Sequence, residues 1–356
     1  MAALRIFFTT SEEKIVGILL VIDAGTTSFK AAIFDAALQL KGLASREFEI
    51  LRPTTDRAEL NPRTYWSACV DAIREALQSS TLDARQVAAI AVTGHTDTLF
   101  ALDENDAPVI DAILWSDPRA QPQAERIQRQ IGLRRLYRMT GQTGASSVHF
   151  ASRLAWFRET RGELAGRVAH FYQTQDFLIH CLSGAAAVDH SIACCSLLAY
   201  LERPEYWPEM LTLVGVEEKK LSRIIAPGEI AGKLKPELAK SLGLPAGIPV
   251  IAAAMDATAA VTAIGSVAPE SVAETTGAAL VIGAVCDAPK FDPQIHVPCF
   301  AHALPGQYLL LPDQGGCYRL AGARLPVPGS DCRRSGHAGF QGPRLAFRRN
   351  GFPRPP

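Results

Sequence analysis

One short stretch of the chain places a carboxylate, a glycine and three hydroxyl groups between two apolar runs. The first run ends at Asp23, and the second begins after a turn. The turn holds one glycine and three hydroxyl residues, Gly25, Thr26, Thr27 and Ser28. Gly25 can adopt a conformation closed to other residues, so that consecutive N–H groups converge on an anion. The hydroxyls add donors, and Asp23 can hold the water shell of Mg2+. The pattern predicts a phosphate-binding β-hairpin with magnesium near Asp23; the alternative is an ordinary polar turn.

A second candidate is Asp256, a carboxylate that directly follows an apolar run. The residues from Val250 to Ala254 predict a buried strand, and a helix of small residues follows Asp256. Aspartate is favoured at helix starts, where the helix dipole stabilises it by about 0.3 to 1 kcal/mol. From these residues alone, Asp256 is either a helix cap or a functional carboxylate.

Two further loops carry polar groups that suit a hydroxylated ligand. The first, Gly94 to Asp97, follows a predicted strand, and the second is Trp115-Ser-Asp117-Pro-Arg119. An Asp and an Arg two positions apart can hydrogen-bond vicinal hydroxyls, whereas the alternative is a solvated ion pair worth at most ~1 kcal/mol. His95 fits two interpretations equally well: a contact to such a ligand, or a loop histidine whose hydrogen bonds are satisfied within the protein.

Taken in order, these motifs resemble the FGGY carbohydrate kinases, in particular xylulokinase-like members of the sugar kinase, Hsp70 and actin superfamily. The resemblance implies ATP-dependent phosphorylation of a small-molecule ketose or polyol, with ATP and Mg2+ as cofactors. It implies that Asp256 is the general base for the sugar hydroxyl and that the Mg-ATP phosphates bind at Asp23 to Ser28. Sugar contacts are implied for seven residues: His95, Thr96, Asp97, Trp115, Asp117, Arg119 and Asp256.

The sequence also departs from the family pattern. Thr276 and Gly277 match the second phosphate-binding motif, but two alanines follow where the family has hydroxyl residues. His95 replaces a glutamine of the xylulokinase pattern, and Asp97 replaces its histidine or the glutamate of glycerol kinases. The substrate therefore stays open. The alternative function is a catalytically impaired sugar-binding or regulatory pseudokinase fragment.

The predicted elements have the order of an α/β fold with a ribonuclease H-like (actin-like ATPase) N-terminal domain. Three early strands, the last at Leu43 to Leu51, precede a helix that Asn61 caps and Pro62 opens. A buried strand at Val87 to Val92 follows. We expect an FGGY N-terminal sugar-binding domain over 17–249. An incomplete second ribonuclease H-like domain, the start of the C-terminal nucleotide-binding domain, is expected over 250–316.

Residues 317–356 differ in composition from the rest of the chain. They contain eight Arg, six Pro and six Gly, no Lys and no Glu. They show no apolar period of a helix or strand, which predicts an irregular tail. Family members are longer, so we expect this tail to be a truncated or frame-shifted continuation.

The overall composition limits the class of partner. The chain has 356 residues, 48% hydrophobic and 20% charged, with a formal net charge of zero. A neutral chain gives no electrostatic basis for binding nucleic acid or an anionic membrane. The eight cysteines include no Cys-x-x-Cys pair, and the apolar stretch at Leu4 to Phe8 is too short for a secretory signal. We expect a cytoplasmic protein that binds neither nucleic acid nor membrane, with a homodimer left open.

Overall fold

The computed structural model describes residues 17–276, 280–289 and 297–311. Its strands are β1 (Ile18–Ala24), β2 (Ser28–Phe34), β3 (Leu40–Glu47), β4 (Glu59–Leu60), β5 (Val87–Gly94), β6 (Phe100–Leu102), β7 (Ala112–Ile113), β8 (His170–Tyr172), β9 (Ala187–Asp189), β10 (Arg223–Ile225), β11 (Ile230–Lys233), β12 (Pro249–Ala252), β13 (Val272–Thr276), β14 (Leu280–Cys286), β15 (Cys299–Ala301) and β16 (Tyr308–Leu310). Its α-helices are α1 (Pro62–Ser79), α2 (Gln121–Ile131), α3 (Leu133–Thr140), α4 (Phe150–Thr160), α5 (Gly162–Ala165), α6 (Thr174–Ser183), α7 (His190–Cys195), α8 (Pro208–Val214), α9 (Pro236–Leu242) and α10 (Asp256–Ala263).

A six-stranded sheet in the order β11-β12-β5-β1-β2-β3 is the centre of the fold. Strands β1, β5 and β12 run parallel, whereas β2, β3 and β11 are antiparallel to their neighbours. Helices α1 and α6 pack together on this sheet, where the rings of Tyr65 and Phe177 lie 6.3 Å apart. Three antiparallel strands followed by parallel strands and helices form the predicted ribonuclease H-like α/β arrangement.

The strand near Val250 belongs to this first sheet, not to the start of a second one. Strand β12 pairs with β5 on one side, through Val250 and Ile90, and with β11 on the other. The first sheet thus extends past residue 249, where the sequence placed the end of the first domain. The apolar pattern predicts that this strand is buried, but it does not say which strands pair with it. One partner, β5, lies about 160 residues earlier and the other, β11, lies just before it, so the pattern alone could not assign the strand to a sheet.

A second sheet follows, in the order β13-β14-β16-β15, with every pair antiparallel. It shares a hydrophobic cluster with α7 and α10, which includes Met255, Val261, Val285 and Leu309. The predicted irregular tail from residue 317, together with Gly277, lies outside the described residues.

Local signals placed the starts of α1 and β5 correctly. The side chain of Asn61 accepts hydrogen bonds from the N–H groups of Arg63 and Thr64 at 3.0 and 3.2 Å, and Pro62 is the first residue of α1. Strand β3 begins earlier than predicted because the Asp35 carboxylate closes a tight turn, accepting from the N–H groups of residues 37 and 39. This turn sets β3 against the full length of β2.

The six cysteines within the described residues are all free thiols. No helix in the described part of the chain is long and apolar enough to cross a membrane.

Candidate active site

The carboxyl ends of three parallel strands meet at one edge of the first sheet. Asp23 of β1 pairs in register with Thr93 of β5, and Ala252 of β12 pairs with Val92. The turns that follow these strands therefore lie side by side, as in other open α/β sheets that bind ligands at this edge. They carry the candidate residues at 23–28, 94–97 and 253–256, which are far apart in sequence.

The turn between β1 and β2 is a hairpin, as predicted, but Gly25 is not left-handed. The N–H of Gly25 donates to the carbonyl of Ser28 at 3.1 Å. The φ of Gly25 lies outside the positive range, so the prediction that it adopts a conformation closed to other residues is wrong. Close approach favours glycine instead, because a Cβ here would lie 3.0 Å from the Ser28 carbonyl oxygen. Thr27 is exposed, and Thr26 and Ser28 are half-buried.

Three charged groups, Asp23, Lys30 and Asp256, interact at this edge of the sheet, and we refer to the surface that carries them as the candidate cleft. The Asp23 carboxylate lies 3.5 Å from the Lys30 ammonium, on the facing position of β2. Asp256 opens to solvent on one side, yet the surrounding protein displaces enough water to raise the pKa of its carboxyl to about 6. The negative charge of Asp23 adds to this rise in pKa, and the positive charge of Lys30 opposes it. Sequence reasoning missed Lys30, although it lies within the hairpin motif.

Asp256 is the first residue of α10 and not its cap. Met255 occupies the N-cap position and makes no side-chain capping bond. The Asp256 Oδ1 accepts the adjacent N–H of Ala257 at 2.6 Å. Because the helix is not capped by Asp256, the cap interpretation does not account for this carboxylate.

His95 is not placed in the cleft; it is buried beneath the end of β1. Its Nδ1 lies 2.9 Å from the carbonyl of Ala24, which requires a proton on Nδ1. Its Nε2 then accepts from the hydroxyls of Thr98 and Thr174, each at 2.8 Å. Burial lowers the pKa of His95 to about 4. Both ring nitrogens are used within the protein, so His95 supports the loop and has no capacity left for a sugar.

Asp97 is also fully buried, in contrast to the contact implied by the resemblance. Its carboxylate accepts from the Phe150 N–H at 2.8 Å, the Thr96 hydroxyl at 2.9 Å and the Cys195 thiol at 3.3 Å. Its φ of +68° is left-handed, which aspartate tolerates better than most residues. Thr96 is half-buried, whereas the other three residues of this loop, Gly94, His95 and Asp97, are buried.

Asp117 and Arg119 form a buried ion pair. The Arg119 Nε and Nη2 atoms donate to the two Asp117 oxygens at 2.8 and 2.6 Å, and Nη2 also reaches Glu59 at 2.7 Å. The Asp117 side chain is 0% exposed and that of Arg119 is 8% exposed. Burial alone would raise the pKa of Asp117, but hydrogen bonds from Arg119 and the Ala58 N–H outweigh it and lower the pKa. Neither the solvated pair nor the open sugar-binding pair fits this geometry.

Trp115 connects this loop to the hairpin. Its indole Nε1 donates to the Thr26 hydroxyl at 3.1 Å, and its backbone N–H donates to the Thr98 hydroxyl at 3.2 Å. Of the three residues Trp115, Asp117 and Arg119, Trp115 is therefore the one that contacts the Gly25 to Ser28 turn.

Arg153 of α4 is a functional candidate that sequence reasoning missed. Its side chain is completely buried. Its terminal nitrogens donate to the backbone carbonyls of five residues in the two loops and the start of α4: Asp97, Leu114, Trp115, Asp117 and Val148. Burial lowers the pKa of Arg153 to about 10, and the charges of Asp97 and Asp117 counter this. An arginine in an otherwise apolar helical stretch was the available signal.

The second phosphate-binding motif is only partly described. Thr276 ends β13, and its backbone pairs with Leu280 of β14. Gly277 lies outside the described residues, so its predicted role stays a prediction.

The oxygen atoms available as metal ligands at the hairpin fit a magnesium ion. Asp23 is 35% exposed and makes one long ion pair, so its oxygens are accessible beside the hydroxyls of the turn. The described residues contain no group of three or more His, Cys, Asp or Glu side chains that could hold a metal. One carboxylate with phosphates and water is the typical environment of protein-bound Mg2+.

Comparison with known proteins identifies a family for this chain. A family model described as the FGGY family of carbohydrate kinases, N-terminal domain, matches residues 18–264. The chain is 24% identical over 283 residues to a gluconokinase of Bacillus subtilis, covering 80% of this chain and 55% of the relative. It is 32% identical over 246 residues to a glycerol kinase of Thermococcus kodakarensis, covering 68% and 48%.

Among solved structures, a xylulose kinase from Rhodospirillum rubrum has the same fold. The TM-score is 0.78 at 22% identity, covering 88% of this chain and 64% of the other. The chain spans about half the length of the curated relatives that it matches.

Proposed function

The chain belongs to the FGGY family of carbohydrate kinases, and from this premise we propose that it transfers the γ-phosphoryl group of ATP to a hydroxyl of a sugar or polyol. The observation that carries the proposal is the grouping of Asp256, Asp23 and Lys30 in one cleft beside the Gly25 to Ser28 turn. This grouping supplies a carboxylate base and the charges needed around a phosphate. Because ATP is the donor, we place the reaction in the cytoplasm.

In the proposed reaction, Asp256 accepts the proton of the attacking hydroxyl. A bond forms between the sugar oxygen and the γ-phosphorus while the bond from that phosphorus to the β–γ bridging oxygen breaks, and ADP leaves. A carboxyl with a pKa of about 6 is mostly ionised at neutral pH and still basic enough to accept the proton. Such a base contributes about 100- to 10,000-fold to the rate.

The hairpin acts on the phosphate side of the cleft. Thr26, Thr27 and Ser28 supply donors, and the Lys30 ammonium offsets negative charge. Asp23 would hold Mg2+, which when bound neutralises charge on the phosphates. Lys30 also lowers the pKa of Asp256, so it keeps the base ionised beside the anionic ligand.

On the sugar side, we assign direct contacts to Thr96, Trp115 and Asp256 and supporting roles to the buried residues. His95, Asp97 and the Asp117–Arg119 pair have their polar atoms bonded within the protein. They hold the loops that present the contact residues. The relatives carry the names gluconokinase, glycerol kinase and xylulose kinase, so we propose a sugar acid, polyol or ketose as the substrate class.

A second candidate is a sugar-binding protein without phosphoryl transfer. The observation that favours it is the pair Ala278 and Ala279, which cannot donate hydroxyl hydrogen bonds to phosphates. Under this alternative, sugar binds while ATP is not consumed.

The two candidates are separated by following both products of the reaction. The purified full chain is incubated with Mg-ATP and gluconate, glycerol, D-xylulose or L-xylulose, and ADP and phosphorylated sugar are measured. Sugar-dependent formation of both supports the kinase. Calorimetric sugar binding with no phosphorylated product from any of the four would contradict it and support the second candidate.

A further inference from the structure

The segment that leads from β12 to Asp256 has its backbone held by side chains from three other elements. The Thr93 hydroxyl donates to the Ala254 carbonyl at 2.6 Å. The Gln175 amide donates to the Ala253 carbonyl, and the Ala253 N–H donates to Val92 at 2.9 Å. The Met255 N–H donates to the Ser191 hydroxyl at 2.9 Å. This last bond is the one closest to Asp256 along the chain.

Ser191 is itself fixed by Asp189. The Ser191 hydroxyl donates to the Asp189 Oδ1 at 2.5 Å, and the Ser191 N–H donates to the same atom at 2.8 Å. Both side chains are 0% exposed. The hydroxyl hydrogen therefore points to Asp189, which leaves the oxygen lone pairs of Ser191 for the Met255 N–H.

Gln175 connects the two parts of this network. Its Oε1 accepts from the Asp189 N–H at 3.0 Å, and its amide nitrogen also donates to the Val92 carbonyl at 3.0 Å. The turn that carries Asp189 and the strand end that carries Asp256 are thus joined to β5 through a single side chain. This gives Ser191 a rigid base from which to hold Met255.

We propose that Ser191, oriented by Asp189, is a positioning residue that fixes the peptide between Ala254 and Met255, directly before Asp256, and so sets the direction of the Asp256 carboxylate. Met255 is the N-cap and Asp256 the first residue of α10, so the peptide that leads into Met255 sets how the helix starts and where the Asp256 side chain projects. The catalytic consequence rests on the proposed function; the contact itself does not.

A purely structural role, in which the Ser191 hydroxyl only supports the start of α7, predicts that its removal weakens that helix start. Asp189 caps α7 through the Ser191 N–H, and this bond survives when the hydroxyl is removed. The loss from Ser191→Ala therefore falls on the Met255 N–H and not on the helix start. Ser196 provides a matched control, because its buried hydroxyl donates to Ala193 at 2.6 Å and accepts from Leu198 at 3.1 Å, and neither partner belongs to residues 253–256.

The test compares wild type, Ser191→Ala, Ser191→Thr and Ser196→Ala in the full chain. Hydrogen exchange is measured by mass spectrometry on peptides that cover residues 252–258, with Tm measured in parallel. We expect exchange at Met255 to rise about tenfold in Ser191→Ala, the scale of one lost neutral hydrogen bond, and to return towards wild type in Ser191→Thr. Unchanged exchange in Ser191→Ala, or an equal rise in Ser196→Ala, would overturn the proposal.

Turnover provides the second measurement. We expect Ser191→Ala to lower kcat about tenfold with the sugar KM within about twofold, because ground-state binding is kept while the base is misdirected. A Ser191→Ala enzyme with wild-type kcat would overturn the catalytic part. If wild type shows no turnover with any sugar, the proposed function fails, while hydrogen exchange still decides whether Ser191 fixes Asp256.

Discussion

The indole N–H of Trp115 donates to the hydroxyl of Thr26 at 3.1 Å. Trp115 belongs to the loop proposed for the sugar, and Thr26 to the turn proposed for the phosphates. The Trp115 backbone is in turn held by Thr98, whose hydroxyl contacts buried His95. A direct contact therefore joins the two halves of the cleft, and binding on one side can influence the other.

This contact predicts energetic coupling between Trp115 and Thr26. Trp115→Phe and Thr26→Val should each weaken binding of a cleft ligand by about 1 kcal/mol, since each breaks the same neutral hydrogen bond. The double variant should lose less than the sum of the two. Calorimetry with sugar and with Mg-ATP measures the cycle. Strictly additive losses would show that the contact carries no coupling. As a control, the losses of Trp115→Phe and Thr27→Val should simply add, because the indole N–H of Trp115 donates to Thr26 and not to Thr27.

Asp117→Ala is expected to destabilise the fold by about 2 to 4 kcal/mol, because it leaves the buried Arg119 with Glu59 as its remaining carboxylate partner and the Ala58 N–H without its acceptor. From sequence alone, the pair could have been a cleft residue pair whose loss affects sugar binding and not stability. Denaturant unfolding measures the free energy. A loss under about 1 kcal/mol would mean that the pair is solvated.

Asp83→Ala is a matched control for this variant. Asp83 and Arg85 have the same spacing, and both aspartates accept the backbone N–H of the arginine at 2.9 Å and two of its side-chain nitrogens. The Asp83 pair is exposed, at 83% for Arg85 and 41% for Asp83. Its loss should change the free energy of unfolding far less than the loss of Asp117, because solvent screens an exposed pair.

The Asp83 and Asp117 pairs also show what sequence could predict. The local geometry of Asp-x-Arg follows from neighbouring residues and is the same in both. Whether such a pair is buried depends on residues that are distant in sequence. For Asp117 and Arg119 these are Glu59 and Ala58, which hydrogen-bond to the pair. For the same reason the hairpin, the start of α1 at Pro62 and the placement of Asp256 at a strand end were predictable from local patterns. The membership of β12 in the first sheet and the burial of Asp97 and Arg153 required tertiary contacts.

His95 predicts a pH dependence of stability. Its folded pKa of about 4 is below the ordinary value of 6.5, so the unfolded chain binds more protons between these values. Its contribution is present above pH 6.5 and is lost as the pH falls towards 4, by roughly 3 kcal/mol. His95→Gln should therefore lose less stability than wild type on acidification from pH 7 to 4.

Comparing wild type with His95→Gln separates the titration of His95 from that of the other buried groups. Buried Asp176 and Asp189, each with a pKa raised to about 7, titrate in the opposite sense and are common to both. Denaturant unfolding at several pH values gives the difference in free energy of unfolding. A difference that stays constant with pH would show that His95 is not buried in the neutral form.

The central claim is that Asp256 is the base for phosphoryl transfer, and the most direct measurement is kcat of Asp256→Asn against wild type over pH 5 to 8. The account predicts that kcat in wild type rises with pH and levels off above the Asp256 pKa of about 6, because the ionised form is the base. In Asp256→Asn, kcat should fall at least about 100-fold and should no longer rise with pH, while the sugar affinity stays within a few-fold of wild type. The control variant Asp83→Asn should keep the kcat of wild type. Retention of more than about a tenth of wild-type turnover by Asp256→Asn would contradict the account.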